Sequence, residues 1–393
     1  MTSIGILMMV SMLYTSYTWA GALSATNGLA WAAGNWMLSR LIDRHGQSRI
    51  MIPALLITNL SLIWLVAAAW TRSPPWMLFI PAGLSGLAGG SPGTLVRARW
   101  SHALGDSPLL HTAFSLESTL DEITYIVGPL VVAALCTTIH PTAGLMAPVI
   151  LSLSGGTWFF YGLRATQPPV RRLGDAPSAP VASLTGASGV PNLRPNRFVL
   201  AYGGMISIVV VTALFGCAFG ALDVATVAAT KAWGAAVMSG PVLAAMSLGS
   251  ALAGLIYGSR RWKTPLPRRF LIGVTVFAVL TPLYLLAHSV PILLICGFLA
   301  GSAIAPSFTN ANSLVTVLVP KHRLTEGLSW IGTSIGLGAS LGNSLAGWLT
   351  DQHGYEGGYW TAVISVLISF VLALLGSRAL SRNAAQRYDR TAL

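Results

Sequence analysis

Long apolar stretches alternate with short polar connections along this chain of 393 residues. A helix needs about 20 apolar residues to cross the hydrocarbon core of a bilayer. Twelve stretches come close to that length, at 1–18, 20–41, 51–70, 76–98, 113–137, 144–163, 198–220, 232–257, 269–288, 291–317, 327–350 and 359–377. The pattern therefore predicts an all-α, polytopic membrane protein with 12 transmembrane helices.

One connection is much longer than the others. Residues 164–197 are rich in proline, from Pro168 to Pro195, among Ser, Ala and Gly, which is typical of a flexible linker. It divides the chain into an N-terminal six-helix bundle at 1–163, the linker at 164–197, a C-terminal six-helix bundle at 198–377 and a tail at 378–393.

Composition and charge support this topology. The chain is 54% hydrophobic and 9% charged, whereas soluble domains carry about a quarter charged residues. Of the 23 Lys and Arg residues, Arg72 and Lys231 alone lie in odd-numbered connections. Because basic residues resist translocation, we expect a cell (inner) membrane protein with both termini and the linker in the cytoplasm. Topology thus explains the net charge of +12, and no nucleic-acid partner is needed.

The two halves resemble each other at an offset of 214 residues. Pro92 matches Pro306 and Gly128 matches Gly342 at this offset, in corresponding predicted helices. Several matches at one offset indicate an internal repeat, and parallel repeats of six helices are a transporter architecture. The offset also predicts a first helix that lacks its opening turns. Two explanations stay open, a shorter first hairpin or a sequence that begins after its natural start.

The connection between the second and third predicted helices, SRLIDRHGQSR at 39–49, is unusually charged. Its Ser39, Asp43, Arg44, Gly46 and Arg49 resemble the signature loop of the major facilitator superfamily. The resemblance implies a secondary transporter with two six-helix bundles. It also implies a cytoplasmic gate in which Asp43 meets the start of helix eleven at 323–327. The alternative is that the arginines only fix topology.

The resemblance has departures. Ser39 stands where the family usually has Gly, and Gln47 and Ser48 stand where basic residues are usual. The segment GLIYGSRR at 254–261 is a degenerate second copy without the acid. AFSLESTLDE at 113–122 and RRWKTPLPRRF at 260–270 resemble actinobacterial drug or metabolite exporters of the family.

The fifth predicted helix carries the acids that we place inside a span. Glu117, Asp121 and Glu122 are expensive there, so they are expected to be paired or functional. We expect Glu117 to pair with Arg97 and Arg99 of helix four. Two adjacent carboxylates in a low dielectric disfavour double ionisation, so Asp121 and Glu122 are candidates to carry a proton.

Other positions are weaker candidates. Gly128 and Pro129 partly resemble the fifth-helix motif of the family's antiporters, but Pro81 stands about where the fourth-helix Arg of that branch would be. Both residues are expected in helix packing. Polar and aromatic residues that could touch substrate are Trp36, Asn310, Asn312 and Asn343, although packing is the simpler role for each.

The sequence offers little for other chemistries. The three cysteines are far apart, no histidine pair has ligand spacing, and no Walker loop is present. We therefore expect no metal, no cofactor and no enzyme activity, and a monomer. The predicted function is proton-coupled export of a small molecule by alternating access. Uptake or uniport by the same fold is the alternative, and a transport-inactive membrane sensor or scaffold is the alternative from another class.

Overall fold

The computed structural model describes residues 2–104, 107, 109–167, 199–260, 262–319 and 324–391. Most of the predicted linker lies outside these residues. Within the part that the structure describes, secondary structure is helical throughout, with no strand.

In its described residues, the N-terminal bundle contains seven α-helices. A 3₁₀ turn at Pro75–Leu78 precedes α4, and a π-helix at Trp158–Gly162 follows α7. The helices are α1 (Thr2–Leu13), α2 (Tyr17–His45), α3 (Gln47–Trp70), α4 (Phe79–Ala88), α5 (Pro92–Leu104), α6 (Leu109–Thr138) and α7 (Ala143–Thr157).

The described part of the C-terminal bundle contains seven more α-helices. A 3₁₀ helix at Thr281–Leu286 continues α10. The helices are α8 (Met205–Ala232), α9 (Ser239–Ser259), α10 (Leu266–Leu280), α11 (Val290–Gly301), α12 (Ile304–Leu318), α13 (Leu324–His353) and α14 (Tyr355–Thr391).

Local sequence explains where α2 begins and ends. The Ser16 hydroxyl accepts a hydrogen bond from the Trp19 N–H (3.3 Å) and caps the first turn. Gly46 ends the helix with φ +89°, a conformation that favours glycine, and its N–H donates to the Ile42 carbonyl (2.8 Å). We call the two faces of the molecule the Ser16 end and the Gly46 end.

Each of the 12 predicted segments contains one helix or two consecutive ones. The fourth predicted segment, which we call helix four, is interrupted between α4 and α5. The tenth, helix ten, is interrupted between α11 and α12. The interruptions occupy corresponding places in the two halves, close to Pro92 and Pro306, as the internal repeat predicts. Among the described residues, seven segments are long and apolar enough to cross a membrane, by length and composition alone.

Side chains on the outside of the bundles are apolar, as a lipid-facing surface requires. On α3, Leu56 and Leu60 are 50% and 65% exposed, and on α9 Leu255 is 72% exposed. Exposed apolar side chains at this density are stable only where lipid or another protein covers them.

Several predicted boundaries are wrong. Helix seven was expected at 198–220, whereas α8 runs from Met205 to Ala232, so Asp223 and Lys231 belong to it. The expected tail at 378–393 is helical as far as Thr391, because α14 continues past the apolar segment. α1 has 12 residues against 28 in α8, as the offset predicts.

The two bundles touch through α2 and α13, which run antiparallel. A Cβ placed on Gly21 would lie 2.1 Å from the Asn343 carbonyl oxygen, and one on Gly347 would lie 2.3 Å from that of Tyr17. The backbones are in direct contact here, which only small residues permit. A second contact joins α6 to α9, where a Cβ on Gly240 would lie 2.6 Å from the Pro129 carbonyl oxygen.

Candidate functional site

An ion pair joins the fourth and fifth helices. Arg97 Nη2 of α5 lies 2.6 Å from Asp121 Oδ2 of α6. The carboxylate also lies beside Gly93, because a Cβ there would be 3.8 Å from Asp121 Oδ1. Gly93 is in the first turn of α5, next to the interruption of helix four. The two side chains are 36% and 45% exposed when no lipid is counted, so small polar groups can reach them.

The pairing differs from the predicted one. Arg97 was expected to pair with Glu117, but its partner in the structure is Asp121. Glu117 lies one turn earlier on α6 and interacts electrostatically with both members of the pair. Which acid of α6 pairs with Arg97 depends on how the two helices are shifted along each other, and helical spacing in the sequence does not give this shift. The Glu122 side chain lies outside the described part of the structure.

Arg99 has a different environment from the one expected. It is 5% exposed and points into the N-terminal bundle, away from Glu117. Its Nε donates to Gln47 Oε1 (2.9 Å), and its Nη1 donates to the carbonyls of Phe159 (3.0 Å) and Leu163 (2.9 Å). Its guanidinium also stacks on the Phe159 ring, 3.6 Å from the centroid. Arg99 therefore ties α3 and α5 to the end of helix six.

This cluster gives a local reason for the departures from the loop pattern. Gln47 and Ser48 are both buried, and Ser48 Oγ donates to the Phe160 carbonyl (2.6 Å). Basic side chains at these positions would lie against Arg99, which already supplies the positive charge. Neutral residues are therefore favoured here.

The rest of the loop is only partly described. Gly46 forms the tight turn between α2 and α3, and Arg49 is exposed. The Asp43 and Arg44 side chains lie outside the described part, as do residues 320–323 before α13, so the predicted contact between Asp43 and helix eleven stays a prediction.

The candidate substrate contacts fall into different environments. Asn310 is 1% exposed and accepts a hydrogen bond from the Tyr257 hydroxyl (2.7 Å), so it joins α12 to α9. Asn343 is 8% exposed and lies in the contact between α2 and α13. Asn312 is exposed, and the Trp36 side chain is not described. The nearby Trp31 donates from Nε1 to the Gly90 carbonyl (2.7 Å) and bridges α2 to the interruption of helix four.

Gly128 and Pro129 are buried in α6. Pro129 contributes its carbonyl to the close approach between α6 and Gly240 of α9. The two residues therefore lie at a packing contact between the bundles.

Sequence reasoning missed Asp223, which lies well inside α8. The predicted end of helix seven at 220 excluded it, although the apolar run continues past it as VATVAA at 224–229. No hydrogen bond or ion pair to Asp223 occurs among the residues that the structure describes. It lies near Tyr284, and the Thr226 and Tyr359 hydroxyls are also buried. A single acid in an otherwise apolar run is the signal that would have found it.

The two basic residues at the Ser16 end both bind the carboxyl end of α1. Arg72 Nη1 donates to the Leu13 carbonyl (2.5 Å) and Lys231 Nζ donates to the Ser11 carbonyl (2.8 Å). Carbonyls in the last turn of a helix lack intrahelical donors and attract cations. These two exceptions to the charge distribution thus have a structural role.

In the described part of the chain, no group of three or more His, Cys, Asp or Glu residues could hold a metal ion. The three cysteines are buried and unpaired.

Comparisons with known proteins agree with this architecture. A model for the Major Facilitator Superfamily matches residues 208–388. No curated protein matches the sequence. The structure resembles that of the nucleoside transporter NupG, with a TM-score of 0.68 and 14% identity, covering 95% of this chain and 93% of that one.

Two further solved structures are similar. A bacterial homologue of the iron transporter ferroportin, in an inward-facing state, has a TM-score of 0.69 at 14% identity and covers 96% of each chain. A bacterial homologue of the human lysosomal transporter Spinster, inward-facing and unoccupied, has a TM-score of 0.67 at 16% identity and covers 97% of this chain and 95% of that one. At these identities the likeness shows the fold, which is the major facilitator fold.

Proposed function

We propose that this protein is a secondary active transporter that exports a small molecule by alternating access, driven by protons. The observation that carries the proposal is the ion pair between Arg97 and Asp121, beside the interruption of helix four. Interrupted helices at corresponding places of two repeats mark the substrate and ion sites of transporters.

The ion pair suits a proton-coupled cycle. A proton bound by the Asp121 carboxylate would remove the attraction that holds Arg97 against it. Release of Arg97 can then change how α5 and α6 pack. Asp121 and Glu122 are adjacent in the sequence, so the two carboxyl groups are proposed to share the proton. A proton that crosses about 100 mV supplies ~2.3 kcal/mol, enough to drive export against a gradient of roughly fifty-fold.

The proposed orientation places the Gly46 end in the cytoplasm of a cell with an inner membrane. The distribution of Lys and Arg supports it, since 21 of these 23 residues fall in the even-numbered predicted connections, the adjoining helix ends or the tail. Export is favoured over uptake by the partial resemblance of Gly128 and Pro129 to the antiporter motif. A monomer suffices for this cycle, because both bundles belong to one chain.

Transport in proteoliposomes against a panel of compounds tests the proposal. With an imposed pH gradient, the parent should move its substrate opposite to the proton flux. The double substitution of Asp121→Asn with Glu122→Gln should abolish uphill transport and leave exchange at equal concentrations partly intact, because exchange needs no net proton movement.

Glu356→Gln is the matched control, because Glu356 is exposed at the start of α14 and its loss changes the charge without touching α6. Uphill transport by the double variant at the parental rate would refute proton coupling at this site. Substrate flux in the same direction as the proton flux would show that the protein takes its substrate up and does not export it.

A further inference from the structure

The helices α2 and α13 end in the same short pattern. The chain reads DRHG at 43–46 and DQHG at 351–354. Each helix ends at the histidine, and the following glycine has a positive φ, +89° at Gly46 and +71° at Gly354. The 214-residue repeat does not relate these two segments. What they share is their place, since each lies at the carboxyl end of one member of the antiparallel pair that joins the bundles.

At the Ser16 end, the aspartate of this pattern binds the opposite bundle. The Asp351 carboxylate accepts hydrogen bonds from Ser16 Oγ (2.7 Å), the Tyr17 N–H (2.7 Å) and the Thr18 N–H (2.8 Å). The two N–H groups are free donors at the start of α2, where a negative charge also meets the positive end of the helix dipole. Hydrogen bonds to a carboxylate are among the stronger ones in proteins.

A second charge acts on the same turn. Lys231 of α8 donates to the Ser11 carbonyl at the end of α1, and its Nζ lies 5.8 Å from the centre of the Tyr17 ring. The turn between α1 and α2 is thus held from the C-terminal bundle by a cation on its carbonyl side and an anion on its N–H side.

We propose that Asp351 and Lys231 form a latch that holds the Ser16 end closed, and that Asp351 is the counterpart, at the opposite face, of the contact expected between Asp43 and the start of α13. Asp351 binds the first turn of α2, and the resemblance to the signature loop implies a similar contact of Asp43 with the start of α13. Rocking that brings the helices together at one end separates them at the other, so the two contacts form alternately. The latch rests on the alternating-access proposal.

Distances between spin labels on Thr71→Cys and His288→Cys test the latch. Both positions are exposed at the Ser16 end, one in each bundle, and the three native cysteines are buried. In the parent we expect a dominant short distance and a minor long one. Asp351→Ala should raise the ratio of the long-distance population to the short-distance population about tenfold, as the loss of charge-assisted hydrogen bonds predicts. Asp351→Asn, which keeps the shape and one acceptor, should give a smaller rise. Asp43→Ala should lower the ratio.

The control is again Glu356→Gln, which removes an acid five residues beyond Asp351 and should leave the distances unchanged. Two populations in the parent with no shift in either Asp351 variant would overturn the latch. A shift of the Asp351 and Asp43 variants in the same direction would overturn the reciprocal arrangement. A single distance in every variant and in the presence of substrate would instead refute alternating access itself.

Discussion

Single residues show why the charges in the sequence did not predict which side chains bind each other. Arg97 and Arg99 are two positions apart on α5, yet one pairs with Asp121 and the other is buried against Gln47 and the end of helix six. On a helix, residues two apart point to different sides. Sequence spacing therefore predicted that these charges matter, and three-dimensional packing decided what each one binds.

Arg99→Ala should destabilise the protein strongly. The substitution leaves the Gln47 amide and the helix-six carbonyls without their donor in a buried site, which costs about 3 kcal/mol. The thermal midpoint in detergent should fall clearly. Arg49→Ala, at an exposed position in the first turn of α3, should change the stability by less than about 0.5 kcal/mol. Equal midpoints for the two variants would contradict the structural role of Arg99.

The Asp351 contact should depend on pH. Burial raises the pKa of Asp351, but the hydrogen bonds from Thr18, Ser16 and Tyr17 outweigh burial and lower that pKa below its ordinary value. A lowered pKa means that the contact stabilises the closed Ser16 end fully above the ordinary carboxyl pKa of about 4 and loses this effect as the pH falls through the lowered value.

The long label distance should therefore keep its population as the pH falls from about 6 to about 4 and gain population only as the pH falls further. Other titratable groups lie close by. Tyr17 and Lys231 face the contact, and His353 and Glu356 follow Asp351 in the chain. Tyr and Lys keep their charge state over this range, and His353→Gln with Glu356→Gln removes the other two. If the Asp351→Asn variant keeps the pH response, a group other than Asp351 causes that response.

At the scale of elements, the apolar pattern predicted the helices well and their ends poorly. Pro92 is the signal in the sequence for an interruption of helix four. The backbone geometry of that interruption, however, depends on Gly90, which has φ +59°. Helix seven extends past its predicted end because Asp223 breaks a hydropathy run without breaking a helix. Acids interrupt an apolar pattern, whereas prolines and glycines interrupt the backbone.

Gly90→Ala should strain the interruption of helix four. A side chain in the left-handed region costs about 1–2 kcal/mol, and its Cβ would lie 2.8 Å from the end of the Met51 side chain. We expect a lower thermal midpoint and slower transport. Gly155→Ala is the matched control, because Gly155 lies inside α7 with no atom within 4 Å of the added Cβ. It should be neutral or slightly stabilising. A midpoint that falls equally in both variants would dismiss a special role for Gly90.

At the scale of the whole molecule, the two bundles approach most closely where backbones touch, at α2 with α13 and at α6 with α9. The apolar pattern predicted the all-α fold that the structure has, whereas the orientation that the charges predict stays a prediction. The small residues that let α2 approach α13 were invisible in the sequence, because the chain contains 41 glycines and most of them have other roles. Only the structure shows that Gly21 and Gly347 lie where two backbones touch.

Gly21→Ala should force the bundles apart at the Ser16 end. The added methyl would lie 2.1 Å from a backbone carbonyl of α13, which cannot move as a side chain can, so α2 and α13 must separate. We expect the long distance between labels at positions 71 and 288 to dominate and transport to fall at least tenfold. Gly336→Ala on α13 is the control, since no atom lies within 4 Å of its added Cβ. If Gly21→Ala keeps the parental distances and rate while Gly336→Ala does the same, close approach of α2 and α13 is not what holds this end of the transporter closed.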